Sequence, residues 1–261
     1  MTVTVSVLGS GSRGNTTFIK TETTRILIDA GLSRKELARR LTEIGEDPNG
    51  VDAVLITHEH NDHAAGLKTF VKELRIQVFL TAGTLREIPS DDFVLNGSTI
   101  TTVVPGQTFC VGDAEITPFA VPHDAAEPVA FSIRSGGIRV TQLTDVGHMP
   151  EAVADNLKGS NLLILESNHD LEMLRVGPYP WTLKQRLMGR FGHLSNTGVA
   201  QFIREQFDGT ASHLMLAHLS ERNNHPAVAR QESVKALRDR GFKTTVTLTS
   251  QQFPTAPIHL S

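Results

Sequence analysis

The stretch LITHEHNDHAAG, residues 55–66, puts His58, His60, Asp62 and His63 within six positions at the end of an apolar run. His58 and His60 are two apart, so on an extended strand end their side chains point the same way. Asp62 and His63 follow where the chain begins to turn. Neutral imidazoles and a carboxylate are borderline-to-hard ligands that suit Zn²⁺, Mn²⁺ or Fe²⁺ better than a soft metal. One open catalytic ion normally takes three protein ligands. Four in one run point to two ions close together, as in many phosphoester hydrolases. The competing reading is a helix N-terminus that happens to be polar. Residue frequencies put a chance H-x-H-x-D-H match on the order of one in a thousand, so metal binding is the reading that stands.

The motif follows VDAVLIT, which reads as a strand. Two further apolar strands end the same way: SNLLILE runs into SNHD, and SHLMLA into HLSERNN. Strands that deliver ligands to one common edge are how α/β proteins build a site. Strands apolar on both faces need cover on both, most simply by sheet and helix layers. TVTVSVLG alternates as a strand, GSGSRGN is a turn, and TTFIK and RILIDAG form a hairpin. SRKELARRLTEIG reads as a helix, with Ser33 at the N-cap and Glu36 three residues on. AAGLKTFVKEL begins another. The hairpin grammar recurs, because TTFIKTETTRILIDAG (16–31) resembles AFSIRSGGIRVTQLTDVG (130–147), each ending in Asp-x-Gly at Asp29 and Asp145. This suggests two similar halves packed face to face. No linker or low-complexity segment divides the chain, so a single domain over residues 1–261 is expected.

The net charge of −3 argues against a surface coated in basic residues for nonspecific nucleic-acid binding. It does not exclude a nuclease, because bound cations supply positive charge where phosphate sits. Apolar runs such as LLIL at 162–165 are far too short to span a bilayer. The N-terminus has no basic region followed by an apolar one, so no secretory signal is expected. The single cysteine, Cys110, excludes an internal disulfide framework and agrees with a cytoplasmic location. In TFCVGD it reads as a small buried strand residue.

A two-ion site needs ligands from elsewhere in the chain. His123 in VPHDA follows a strand-like segment, Asp145 ends VTQLTD and His218 ends LMLAH. All three lie at strand ends, and a carboxylate at Asp145 can bridge both ions. His193 in FGHLSNTG precedes a helix capped by Ser195 or Asn196. A helix N-terminus beside metals is a natural phosphate site, and His193 is expected to hydrogen-bond a phosphate oxygen or protonate a leaving group. The plainer alternative is a capping histidine. His169 in ESNHD lies at the right edge to support the site rather than ligate. His148 and His225 adjoin site motifs without a clear task, His213 reads as structural, and His259 as solvated.

With these residues in view, the chain resembles the metallo-β-lactamase superfamily. HEHNDH is its signature run, and His123, Asp145 and His218 fall in the expected order. Asp145 stands where the hydrolase and nuclease branches place a bridging carboxylate. The best-known true β-lactamases use a cysteine ligand, which argues against a β-lactam substrate here. LGSGSRGNTT, LIDAGLSRKEL, THEHNDH, VPHDAAEPVAF, TDVG, LILESNHD, MLRVGPYPWTLKQR, GHLSN and HLSERNN are similar to the WalJ (YycJ-type) family of bacteria, laid out like ribonuclease Z. GHLSN is similar to the catalytic histidine motif of ribonuclease Z, which supports the role given to His193. The resemblance implies an αββα sandwich, two mixed β-sheets flanked by helices with the metals at one edge. It also implies 5′-to-3′ exonuclease action on DNA, linked to mismatch repair. The long arm with which ribonuclease Z grips tRNA, and a separate β-CASP domain, are both missing from the pattern.

The expected mechanism is phosphodiester hydrolysis with two divalent ions, Zn²⁺ or Mn²⁺. His58, His60 and His123 hold one ion, Asp62, His63 and His218 the other, and Asp145 bridges. Asp62 also orients the attacking water, and His193 acts on the leaving side. The stretch LEMLRVGPYPWTLKQRLMGRFG (171–192) carries Arg175, Lys184, Arg186 and Arg190 against Glu172 alone, with the only Tyr and Trp, Tyr179 and Trp181. Basic residues beside aromatics suit a single-stranded backbone with bases stacked on rings; the alternative is a helix packing its Leu and Met face on the core. Ser10, Ser12 and Asn15 lack the GK[ST] of a P-loop, yet follow the first strand and can line the site. Asn168, His169 and Asn196 complete the substrate-facing candidates. DNA, as a single strand or duplex end, is the expected substrate, and DNA-repair proteins are the candidate partners. The alternative is an RNA nuclease, or a small-molecule phosphodiester or ester hydrolase of the same fold. A non-catalytic module on this fold would have lost ligands, and none of the seven is missing.

Overall fold

The computed structural model describes residues 2–89 and 98–261. Strands β1 (Val3–Gly9), β2 (Thr16–Lys20), β3 (Arg25–Ile28), β4 (Ala53–Leu55), β5 (Gln77–Thr81) and β6 (Thr99–Val103) form one sheet in that order. Strands β7 (Phe109–Val111), β8 (Ala114–Ala120), β9 (Val129–Ser135), β10 (Ile138–Leu143), β11 (Leu162–Glu166), β12 (His213–Ala217) and β13 (Thr245–Leu248) form the second. The last strand, β14 (Ile258–Leu260), returns to the first sheet beside β1, so each sheet has seven strands among the described residues.

The two sheets follow one pattern. From β14 through β1 and β2 to β3 every pairing is antiparallel, and β4, β5 and β6 then add in parallel. From β7 to β10 the pairings are again antiparallel, and β11, β12 and β13 add in parallel. The hairpins β2–β3 and β9–β10 carry the repeated sequences. Both run into an aspartate in the left-handed region, with φ of 63° at Asp29 and 58° at Asp145.

Side-chain alternation turns these sheets into the two middle layers of four. In β3, Ile26 and Ile28 enter the core between the sheets while Leu27 faces the helices. In β11, Leu162 and Ile164 face the other sheet while Leu163 and Leu165 face outward to helices. A period of two thus sorts a continuous apolar run onto two buried faces. Helices α1 (Arg34–Glu43), α2 (Asn61–Ala64), α3 (Leu67–Glu73) and α4 (Ala82–Glu87) belong to the first half. Helices α5 (Glu151–Asp155), α6 (Leu171–Val176), α7 (Trp181–Leu187), α8 (Asn196–Glu205) and α9 (Pro226–Asp239) belong to the second. Leu37 and Leu41 of α1 and Phe70 and Val71 of α3 cover the first sheet. Val153 of α5, Val199 and Ile203 of α8 and Ala236 of α9 cover the second. The architecture is the expected αββα sandwich. No described helix is long and apolar enough to cross a membrane.

Two local expectations change. The helix read from residue 64 onward is two helices, α2 and α3, broken at Gly66. Its N–H donates to the Ala30 carbonyl at 2.7 Å, and a Cβ there would lie 2.1 Å from the Leu32 carbonyl oxygen. Cys110 is exposed rather than buried, because β7 is the outer strand of its sheet. His259 is exposed, as expected, and lies on β14, where its Nδ1 is 3.0 Å from the Thr4 hydroxyl.

Candidate metal centre

The ligand-rich loop after β4 is pinned at both ends by Asp29. The Asp29 carboxylate accepts from the Thr57 N–H at 2.8 Å and from the Thr57 hydroxyl at 2.9 Å. On the far side of the loop it lies 2.8 Å from His63 Nδ1. The loop can sit this close only because Gly31 has no side chain, since a Cβ there would fall 1.7 Å from the Asp62 carbonyl oxygen. Asn15 closes the other side: its Nδ2 donates to Asp62 at 3.1 Å and its backbone N–H to the Asp62 carbonyl at 2.7 Å.

Side chains from both sheets meet at this loop. His58, His60 and His123 present ligand atoms within 4.8 Å of one another, and Asp62, His63 and His218 form a second such group. Asp145 shares a third group with His58 and His63, which places it between the two. His63 Nε2 lies 3.4 Å from Asp62 and 3.2 Å from Asp145, and His218 Nε2 lies 3.5 Å from Asp62. Donors on a tetrahedral ion with bonds of about 2.0–2.1 Å stand about 3.3 Å apart, so these spacings are those of ligands sharing an ion. His123 Nε2 and Asp145 Oδ2 are buried without a hydrogen-bond partner, although buried polar groups are almost always satisfied. The donor set, the spacing and the two unpartnered atoms all fit a pair of divalent cations.

The electrostatics carry the same message. Burial is the largest single influence on His63 and His218 and works against their charge, but Asp145 with Asp29 at His63, and Asp145 with Asp62 and Glu166 at His218, together outweigh it, and both pKa values rise well above the ordinary imidazole range. Burial would push Asp145 and Asp62 up, yet the neighbouring His218 and His63 hold both carboxyls well below theirs. Protons on His63 and His218 therefore balance the carboxylates where cations would otherwise do so. His58 and His123 are driven toward the neutral form by burial, the form that binds metal.

Two positioning carboxylates went unassigned in the sequence reading. Asp29 is one; Glu166, the last residue of β11, is the other. It is fully buried, and its Oε1 lies 2.8 Å from both His193 Nδ1 and His218 Nδ1. Its Oε2 accepts the Leu194 N–H at 2.9 Å and the Val146 N–H at 3.2 Å. Burial opposes its ionisation, but the histidines, His193 first, push its pKa down to about 2. Its four donors leave it no free lone pair to offer an ion. A carboxylate on Nδ1 fixes the orientation of each ring and leaves Nε2 of His218 and of His193 free of Glu166. Glu166 could have been found as the one charge ending an otherwise apolar strand, and Asp29 through its repeat with Asp145.

The other candidates divide between cavity and scaffold. A cavity of about 240 Å³ over the ligands is lined by Ser12, Asn168, Tyr179, Arg186 and His193. Arg186 Nε also pairs with Asp124 at 2.5 Å. Ser10 instead accepts the His218 N–H at 2.7 Å, and Asn168 Nδ2 donates to the His218 carbonyl at 2.8 Å. Together they clamp a ligand whose φ is 54°. Asn15 holds Asp62, as above. Asn196 is fully buried, its amide bonded to Ser167 and Asn224, so it cannot reach a substrate; Ser195 caps α8. Trp181 is exposed at the start of α7, and Arg190 offers the structure its carbonyl, which holds His148 Nδ1 at 2.9 Å. Lys184 is buried, donating to the Arg175 carbonyl at 2.7 Å. His225 caps α9.

Residues 24–219 match the family model described as beta-lactamase superfamily domain. The chain is 35% identical to exodeoxyribonuclease YycJ of Bacillus anthracis over 244 residues, 91% of this chain and 90% of that protein. It is 33% identical to exodeoxyribonuclease WalJ of Streptococcus pneumoniae over 234 residues, 89% of this chain and 87% of that one. Among solved structures, the metallo-beta-lactamase fold protein YhfI from Bacillus subtilis superposes with a TM-score of 0.72 at 19% identity, covering 97% of this chain and 99% of its own.

Proposed function

We propose, from the premise that the chain belongs to the metallo-β-lactamase superfamily and within it to the family of YycJ and WalJ, that it is a metal-dependent exodeoxyribonuclease. As a member of that superfamily it is a metal-dependent hydrolase; DNA as the substrate is the proposal. The observation that carries it is the pair of three-donor groups with Asp145 between them, opening on a cavity that also holds His193 and Arg186. His58, His60 and His123 would hold one cation, Asp62, His63 and His218 the other, with Asp145 shared. Bound there, two Zn²⁺ or Mn²⁺ ions would polarise a phosphoryl oxygen and lower the pKa of the attacking water.

The protein's own residues do the rest. Asp62, held by Asn15, orients the water and accepts from it. Burial works against charge on His193, but Glu166 and Asp145 raise its pKa, so the imidazolium carries one proton on Nδ1, held by Glu166, and a second on Nε2 that it gives to the leaving oxygen. Arg186 and Tyr179 line the cavity and meet the phosphate backbone and a base, with Trp181 on the exposed approach. The family resemblance adds a 5′-to-3′ direction and a place in mismatch repair.

The test is a digestion of end-labelled single-stranded and duplex DNA and RNA with Zn²⁺ or Mn²⁺, beside Asp62→Ala. Stepwise loss of nucleotides from the 5′ end of DNA, absent in the variant, is the expected result. Loss from RNA alone, or inactivity on every polymer with metals bound, would move the substrate to RNA or to a small phosphodiester.

A further inference from the structure

A second cavity of about 380 Å³ adjoins the first at His193, which lines both, and none of the seven candidate ligands lines it. Its size falls in the range of about 300–1,000 Å³ typical of small-molecule pockets. Met149, Met188, Leu171 and Phe202 supply apolar walls, and His169 and Gln201 supply polar groups. The lining contains no Lys or Arg but does contain Glu205, so an anionic ligand finds no countercharge. His169 is 1% exposed, and its Nδ1 has no hydrogen-bond partner. Burial pushes its pKa down to about 4, so it is neutral near pH 7, with one ring donor and one ring acceptor. Two thioethers, a phenyl ring and a few neutral polar groups suit a flat, uncharged heterocycle.

The position of the cavity says which heterocycle. His193 is held by Glu166 so that its free nitrogen serves the leaving oxygen. A group attached to that oxygen therefore lies beside His193, the residue that the two cavities share. We propose that the cavity is the base-binding subsite for the nucleotide that carries the leaving oxygen, with His169 the residue that hydrogen-bonds the base and Met149, Met188 and Phe202 its walls. The subsite rests on the nuclease reading, since it assigns the ligand from the reaction placed at His193.

The experiment is methyl NMR on the Zn²⁺-loaded protein carrying ¹³C-methyl methionine, titrated with deoxyadenosine, a probe with no phosphodiester to hydrolyse. Deoxyribose 5-phosphate is the base-free control. The Met149 and Met188 methyls should shift saturably with deoxyadenosine and not with the control. Met215, buried between the sheets, should stay still. His169→Phe should bind at least tenfold more weakly. Should that variant not fold, Gln201→Trp, at an exposed α8 position on the cavity wall, should weaken binding in its place. Still methyls at saturating deoxyadenosine, equal shifts with the base-free control, or wild-type binding in both variants would overturn the subsite. DNA cleavage with unmoved methyls sinks the subsite and keeps the nuclease reading. Shifted methyls with intact DNA sink the nuclease reading and with it the assignment to a leaving nucleotide, and leave a cavity that binds a free nucleoside.

Discussion

Replacing Glu166 by Gln tests how the site is held. The carboxylate serves two pairs of donors: Oε1 takes His193 and His218, and Oε2 takes the backbone N–H groups of Leu194 and Val146. An amide at this place must turn its NH₂ against one pair. If it faces the backbone, two buried N–H groups lose their acceptor, at roughly 1–3 kcal/mol each. If it faces the imidazoles, His218 is free to carry its proton on Nε2 and can no longer offer that nitrogen to an ion. Loss of such an orienting partner typically costs about 10–100-fold in metal affinity or activity. Here one carboxylate orients both a ligand and the proposed acid, so kcat/KM should fall about a hundredfold or more. Zn²⁺ affinity by chelator competition, a melting curve and DNA digestion measure all three consequences. Glu166→Gln with wild-type metal affinity and turnover would refute the orienting role.

Asp145→Ala should abolish hydrolysis and loosen at least one ion; unchanged metal content with full activity would remove Asp145 from the site. His193→Ala should keep both ions while losing about 10²–10⁴ in turnover, and metal loss instead would make His193 a ligand. Changing Arg186 and Arg190 together to Ala should weaken DNA binding and flatten its salt dependence by up to about 0.7–0.9 in slope per lost phosphate contact. An unchanged slope would leave the segment as packing alone. Because His63 and His218 hold protons when no cation is present, loading must expel them, so metal affinity should rise with pH and uptake should release protons. Calorimetry in buffers of different ionisation heat reads that release, and identical heats in all buffers would contradict it.

The candidate ligands were legible because the chemistry compresses them. H-x-H-x-D-H puts four donors in one turn, and His123, Asp145 and His218 follow strands whose apolar runs announce them. The sandwich was legible through the repeat of 16–31 in 130–147, which emerges as hairpins β2–β3 and β9–β10 in two sheets of the same pattern. The scaffold was less so. Asn196 reads as a substrate-facing cap, yet it is folded inward against Asn224, a partner 28 residues away. Ser10 and Asn15 follow the first strand and look like site-lining residues, but Ser10 meets His218 only because the two halves come together, and Asn15 meets Asp62 only through the folding of the first sheet. Pairing across that distance leaves no local pattern. Cys110 shows the same limit: its residue type suits a core, and only the strand order puts it at an edge.

The most direct test of the account is a titration of metal-free protein with Zn²⁺ or Mn²⁺ while nucleotide release from 5′-labelled DNA is followed. No release is expected without metal, and a rise that levels off at two equivalents per chain is expected with it. Full activity at one equivalent, activity in a chelator, or DNA left intact at saturation would contradict it.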